Sequence, residues 1–352
     1  INGKTKYPNL PKNVEIINRF PDVRDFRSLI EFLFLTIFGL NIVKTKSNNI
    51  YLKNVYDSDI IIHAPGGPSI GDIYIKKELL YLLNLNYLRK IKKKYMFYAP
   101  SMGPFHNKLH NILRKKVLRG AESILVRDPI SFNYVKDFLP DIKVVQSMDS
   151  ALQNEIEFEN YKLKLREDSE LFNYIGKYDK CIGITITDLK WHPEYSKTDI
   201  CENIEKTFKT FIQKRSDEGY GIIFIPQLYG TGNDTKIMDK YMINNRTYML
   251  GNDEFYDSYF QQFLISQLYA VIGMRYHSNI FSAKMGIPFI SISYEQKMKG
   301  FMEYLGLNEY CIDIKELSYY ELNMKFNFLF SRYNEYRSSL NALREKMKRE
   351  SY

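Results

Sequence analysis

Ala270-Val271-Ile272-Gly273-Met274-Arg275-Tyr276-His277-Ser278-Asn279 opens as four apolar or small residues and passes through a polar junction into a stretch with helical spacing at Asn279–Met285. A short apolar run closed by glycine reads as a strand buried on both faces, and the residues after it as the start of a crossover helix. The same unit recurs on both sides. Ile182–Ile186, Ile222–Pro226 and Phe289–Ile292 read as buried strands, separated by helical stretches at Cys201–Lys214, Phe255–Leu268 and Met298–Leu305. In the first half, Ile60–Ile62, Tyr95–Tyr98 and Ile124–Val126 alternate with helical spacing at Lys76–Lys92 and Asn107–Leu118. Buried strands alternating with helices mean parallel sheets with right-handed crossovers.

The chain of 352 residues is long enough for two such domains. A polar, irregular stretch near Asn154–Lys180 reads as the linker between them. The expected architecture is α/β and GT-B-like: two Rossmann-like, doubly wound domains facing an interdomain cleft. The divisions expected are 1–152, 153–315 and a charged helical tail, 316–352, packing back through Leu322, Phe326, Leu329 and Phe330.

Composition narrows the class. With 45% hydrophobic and 26% charged residues the chain is neither disordered nor fibrous. Three dispersed cysteines draw no disulfide framework and no zinc spacing, which favours a reducing, cytoplasmic setting. A formal net charge of +9 fits an anionic partner, but also fits AT-rich codon bias, since Lys, Asn, Ile and Tyr are all abundant. The basic runs Arg89–Lys94 and Arg114–Lys116 read either as solvated helix faces or as peripheral contacts with the inner face of a membrane. Scattered Tyr and Phe form no RNA-binding motif, so no nucleic-acid partner is expected. The most apolar stretch, Leu29–Val43, is too short to span a bilayer and reads as a buried helix and strand. The chain opens on Ile1-Asn2-Gly3 rather than Met, which reads as a trimmed start.

Ligands of open parallel sheets sit beyond the carboxyl ends of the strands, so the loops there are where chemistry is sought. Arg275 and His277 lie at such a junction: a guanidinium fork for phosphate or carboxylate, a helix N-terminus, and an imidazole that moves protons near neutrality. The plainer alternative is a salt bridge for Arg275 and a capping role for His277. Ser293-Tyr294-Glu295-Gln296-Lys297 follows the next strand and would bring Lys297 to the same crevice. In the first half, Pro65-Gly66-Gly67-Pro68-Ser69-Ile70-Gly71-Asp72 follows a strand; its glycines allow a close ligand, and Ser69 and Asp72 can bond sugar hydroxyls. Asp149 and Gln227 occupy comparable loop positions. His106 and His110 stand four apart on a helix with no carboxylate ligand in view, so no metal site is expected.

Taken in order, these loops resemble the polysaccharide pyruvyl transferase family over about residues 50–310. The similar segments are His63–Ser69, Ser101-Met102-Gly103-Pro104, Val126-Arg127-Asp128, Met148-Asp149-Ser150, Arg275-Tyr276-His277 and Ser293–Phe301. No single segment is specific; six in this order are. Two departures stand out. The family's opening strand with its Asn-x-Gly-Asp loop has no match, which reads as a missing first βα unit. Its Arg after the first strand of the second domain is absent after Cys181–Thr187, with Lys190 or His192 as stand-ins.

The resemblance implies phosphoenolpyruvate as donor and co-substrate, a glycan or lipid-linked sugar as acceptor, and a pyruvate ketal with phosphate as products, without metal or other cofactor. Arg275, Lys297, Lys190, Tyr294 and Gln227 would then bind the donor. His277, with Arg275, would be catalytic, and Gly66, Gly67, Ser69, Asp72 and Asp149 would bind the acceptor. The competing readings are a GT-B glycosyltransferase or sugar-nucleotide enzyme, and a non-catalytic basic binding protein.

Overall fold

The computed structural model describes residues 12–17, 21–64, 70–228, 233–243, 245–251 and 254–352. The chain divides into two compact units, one running to Val126 and taking in Ser131–Gln146, the other made of Arg127–Ile130 and Ser147–Tyr352. The change of unit thus falls at 146/147, ahead of the 152/153 boundary expected, with a four-residue excursion before it.

The first unit holds a four-stranded parallel sheet in the order β1-β2-β3-β4, with β1 Ile61–His63, β2 Tyr95–Phe97, β3 Ser123–Val126 and β4 Val144–Gln146. Helices Ile75–Lys90, Lys108–Arg119 and Pro129–Phe138 are the crossovers. Phe97, Val126, Leu82, Val117 and Val135 are buried at its core. Of the Arg114–Lys116 run, Lys115 and Lys116 are exposed, but Arg114 is fully buried, bridged to Glu78 and Asp72 at 2.8 Å each. Glu78 also accepts a bond from His110 Nδ1 at 2.6 Å, so a carboxylate does accompany that histidine.

The second unit holds six parallel strands in the order β10-β9-β8-β5-β6-β7. They are β5 Cys181–Thr185, β6 Gly221–Phe224, β7 Thr247–Met249, β8 Ala270–Gly273, β9 Phe289–Ser293 and β10 Cys311–Asp313. The four central strands are buried along their whole length, as β-branched runs covered by helices on both faces must be. Edge strands β7 and β10, three residues each, carry too short and mixed a pattern to be read from sequence.

Two expectations need correction. The stretch taken for a linker folds into helices Phe158–Glu167 and Ser169–Gly176 within the second unit. Asp168 ends one and caps the other, accepting the Leu171 N–H at 3.0 Å and the Tyr256 hydroxyl at 2.8 Å, while Leu165 and Leu171 are buried. Polar composition hid helices that bury only a narrow stripe. The stretch Leu29–Val43 forms helix Phe26–Leu33 and a π-helical turn Phe34–Phe38 closed by Gly39, with no strand after it; Phe34, Ile37, Phe38, Leu40 and Ile42 are exposed.

The tail is two helices, Tyr319–Ser331 and Tyr333–Ser351, packed on the second unit's sheet. Leu322, Phe326, Leu329, Tyr336 and Leu340 are buried, Phe330 is not, and the Tyr336 hydroxyl donates to the Phe289 carbonyl of β9 at 2.7 Å. Phe326 meets the rings of Phe211 and Tyr220 edge-on, with Arg215 over its face. Phe326→Ala should cost about 3–5 kcal/mol, the usual range for emptying a buried aromatic site. A lowered melting transition for the second unit, with the first unit's unchanged, is expected by calorimetry; an unaltered scan would show that the tail adds nothing to that core.

Candidate active site

In the six-stranded sheet the chain runs β5, β6, β7 to one side and β8, β9, β10 to the other, so β5 and β8 meet at the point where strand order reverses. At such a reversal the loops leaving the carboxyl ends diverge, which is where open α/β sheets bind their ligands. Thr185, last in β5, pairs with Gly273, last in β8. The buried Thr185 hydroxyl oxygen accepts the backbone N–H groups of Met274 and Arg275 at 3.0 and 3.1 Å. Its proton is therefore left for Ser278 Oγ at 2.9 Å, which in turn donates to the Arg275 carbonyl at 2.6 Å. This chain of bonds fixes the turn from β8 into helix Tyr276–Met285. Gly273 leaves room for it: a Cβ there would stand 1.7 Å from Asn279 Oδ1. Arg275 is the helix N-cap and makes no side-chain capping bond, and the salt bridge that the plainer alternative gives it is present, to Asp234.

Arg275 and His277 leave this turn toward different neighbours. The Arg275 guanidinium grips the fully buried Asp234 through Nε at 3.1 Å and through Nη2, and also bonds Tyr294. Burial works against its charge, and Tyr294 and Asp234 more than offset that, so its pKa lies above the ordinary value and it stays cationic. Asp234 in addition accepts the N–H groups of Gln227 and Leu228 at 3.0 Å each, tying the loop after β6 to the guanidinium. The Gln227 side-chain amide is buried at both polar atoms and has no hydrogen-bond partner among the described residues.

The His277 side chain is exposed, yet enough protein surrounds the ring for desolvation to lower its pKa below 6.5. Arg127 and Lys297 push in the same direction and Asp149 opposes them. The neutral imidazole therefore dominates at pH 7. Arg127 belongs to the second unit by its contacts: it is buried, bonds Asp149 at 2.5 Å and lies 4.6 Å from the centre of the Tyr276 ring. Lys297 stands 5.7 Å from the same ring and pairs with Glu295 at 2.5 Å. The buried Tyr276 hydroxyl has no hydrogen-bond partner among the described residues.

Of the two stand-ins after β5, His192 joins this cluster and Lys190 does not. His192 is buried against Tyr195, Trp191 and Tyr294, within the electrostatic reach of Glu295 and Lys297. Its Nδ1 accepts the Glu194 N–H at 3.2 Å, which leaves the proton of the neutral ring on Nε2. Burial lowers its pKa as well. Lys190 is exposed on the turn.

The proposed acceptor residues fall in three places. Gly66, Gly67 and Ser69 lie outside the described residues. Asp72, in the first unit, accepts the His106 N–H at 2.6 Å and pairs with Arg114, bracing the loop after Pro104. The neighbouring Gly71 packs so closely on Gly103 that a Cβ would lie 2.4 Å from its carbonyl oxygen. Asp149, in the second unit, is committed to Arg127 and to capping the Ala151 N–H. Sequence reading missed Asp234, Tyr276 and the siting of Arg127. An acid following the glycine-rich segment after β6 was the available signal for the first; nothing local places Arg127 in the second unit.

The site is thus an electrostatically balanced set in which Arg127, Arg275 and Lys297 each face a carboxylate, beside a helix N-terminus and two neutral imidazoles. An anion gains those cations only by sharing them. Among the described residues no group of three or more His, Cys, Asp or Glu could hold a metal ion.

The fold is of the GT-B class, α/β with two parallel sheets. The fold is similar to that of UDP-GlcNAc 2-epimerase from Neisseria meningitidis (TM-score 0.53, 12% identity, 90% of this chain and 84% of that one). It is also similar to an alpha,alpha-trehalose-phosphate synthase from Burkholderia vietnamiensis (TM-score 0.56, 11% identity, 92% and 73%). The polysaccharide pyruvyl transferase family model matches residues 5–296, and the chain belongs to that family. The amylovoran biosynthesis protein AmsJ of Erwinia amylovora is 26% identical over 310 residues, 81% of this chain and 69% of AmsJ.

The charges around His277 make its titration a direct check on this geometry. Lys297→Met should raise the imidazole pKa and Asp149→Asn should lower it, read from the ring resonances by NMR. A ring that ignores both substitutions would lie outside their field.

Proposed function

We propose that the protein moves the enolpyruvyl group of phosphoenolpyruvate onto a sugar of a cell-surface polysaccharide or its precursor, forming a cyclic pyruvate ketal and releasing phosphate. The observation that supports this most is the convergence at one strand-order reversal of Arg275, Lys297 and a neutral His277 beside an open helix N-terminus. Family membership supports the transferase class.

The donor is compact and carries carboxylate and phosphate, so it calls for several cations at fixed directions. Arg275, bonded to Tyr294, and Lys297, beside the Tyr276 ring, supply them. Tyr294 and Gln227 offer a hydroxyl and an unbonded amide to the same ligand. Acceptor contacts are assigned to the loop of Gly66, Gly67 and Ser69.

Two bonds to carbon 2 of the donor must form and its bond to phosphate must break. Carbon 3 takes a proton and becomes methyl, while one sugar hydroxyl adds to carbon 2 and loses its proton. A second hydroxyl of the same sugar then displaces phosphate from carbon 2, its proton leaving with the phosphate. His277, neutral before the first addition, accepts the hydroxyl proton, and the imidazolium so formed is the acid for carbon 3.

Phosphate release from phosphoenolpyruvate, in the presence of candidate glycans or lipid-linked sugars, tests the reading. His277→Ala should lower turnover by about 10²–10⁴-fold while largely keeping donor affinity. Equal losses in both would make the residue a binding group. Arg275→Lys should weaken donor binding, because an ammonium cannot replace the fork that holds Asp234. Because the His277 pKa is lowered, the base form persists below pH 6.5, so the acid limb of kcat/KM should have its midpoint under 6.5. A limb centred above 6.5 would count against His277 as the base. Thermal protection by a sugar nucleotide but not by phosphoenolpyruvate would favour a glycosyltransferase instead.

A further inference from the structure

Helix Phe26–Leu33 and the π-helical turn after it carry their polarity the wrong way round for a helix on a water-facing surface. Their inward side buries Ser28, Glu31 and Thr36 beside Phe32 and Leu35. Each polar group there is satisfied: Ser28 donates to Asn48 at 2.7 Å, Thr36 donates to the Phe32 carbonyl at 2.8 Å, and Glu31 accepts from Lys44, Thr45 and Asn48. The outward side is mainly apolar, with Arg27 and Asn41 as its exposed polar residues. Phe26 is 76% exposed and Phe38 66%, with Phe34, Ile37, Leu40 and Ile42 also exposed. Phe34, Ile37 and Phe38 share one helical face, and the two phenylalanine rings stand 5.5 Å apart. A surface helix normally turns this stripe to the core. Here the fold spends hydrogen bonds on holding it outward.

Cations border the patch. Lys90 donates to the carbonyls of Thr36 and Ile37 at 3.5 and 3.4 Å, which brings the basic run of residues 89–94 to the turn. The Glu31 brace fixes Lys44, and with it the start of helix Lys46–Asp57, on the other side. Lys44, Lys46, Lys90, Lys92 and Lys94 are all exposed. Among the nearby acids Glu31 is buried as the brace, and Asp22 and Asp25 are two charges against the five exposed lysines.

We infer that this surface docks on an anionic lipid bilayer, with Phe34, Ile37, Phe38 and Leu40 entering the headgroup–acyl boundary and the lysines meeting lipid phosphates. An apolar face with flanking Lys is the pattern of a segment that lies in the interface plane. Among the described residues no helix is long and apolar enough to cross a membrane, consistent with a segment lying on the surface rather than spanning it. A second copy of the chain fits less well, because a two-fold interface would set the same lysines against one another. The inference does not depend on the donor or the reaction.

Sedimentation with vesicles of phosphatidylcholine alone, and of phosphatidylcholine mixed equally with phosphatidylglycerol, tests it. The protein should bind the mixed vesicles and lose that binding in high salt. The pair Ile37→Ser with Phe38→Ser, and separately Lys90→Gln with Lys92→Gln and Lys94→Gln, should each weaken binding about tenfold or more with an unchanged melting temperature. These side chains are exposed, so folding is retained. Failure to bind mixed vesicles at low salt, or equal binding by wild type and variants, would overturn the inference. So would a dimer, seen by sedimentation velocity, that the serine pair dissociates while vesicle binding is absent.

Discussion

The Thr185 hydroxyl is the constraint on which the candidate site depends. Accepting two consecutive N–H groups from the loop after β8, it sets where the backbone leaves the sheet and hence where Arg275 and His277 begin. A hydroxyl can accept two bonds and still donate one, which a valine of the same shape could not do. The glycine beside it and the serine one turn on complete the same local arrangement. The turn is therefore specified by buried polar contacts at the centre of an otherwise apolar sheet, and the ionic groups are secondary to it.

Those ionic groups are arranged in compensated pairs. A buried guanidinium or ammonium without a partner would destabilise the unit, so each cation at the site has a carboxylate beside it. This keeps the unit stable, and it makes the carboxylates Asp149, Asp234 and Glu295 part of the electrostatics there. The imidazole of His277 is left neutral by the balance of desolvation, two cations and one anion.

Much of this was legible in the sequence. Continuous apolar runs such as Ile222–Phe224 and Phe289–Ile292 read as strands buried on both faces of an α/β sheet, and the loops after them followed from it. What escaped has physical reasons too. Strands of three residues, as at Cys311–Asp313, are held by their neighbours rather than by their own pattern. Helix Phe158–Glu167 buries so little that its composition resembles a linker. The run Leu29–Val43 misled because hydrophobicity reports a wish to leave water, not which surface will provide the cover. Asp234 and Arg127 escaped because their partners, Arg275 and Asp149, lie 41 and 22 positions away.

The four residues Arg127–Ile130 have a consequence for how the protein can be divided. They sit in the first half of the chain but belong to the second unit, where Arg127 faces Asp149 and Tyr276. A fragment beginning at Ser147 would retain every strand of the six-stranded sheet and yet strand a carboxylate in its interior, a defect of about 3–5 kcal/mol. Heredity by domain shuffling is thereby discouraged: the half with the six-stranded sheet cannot be lent to another protein by a single cut.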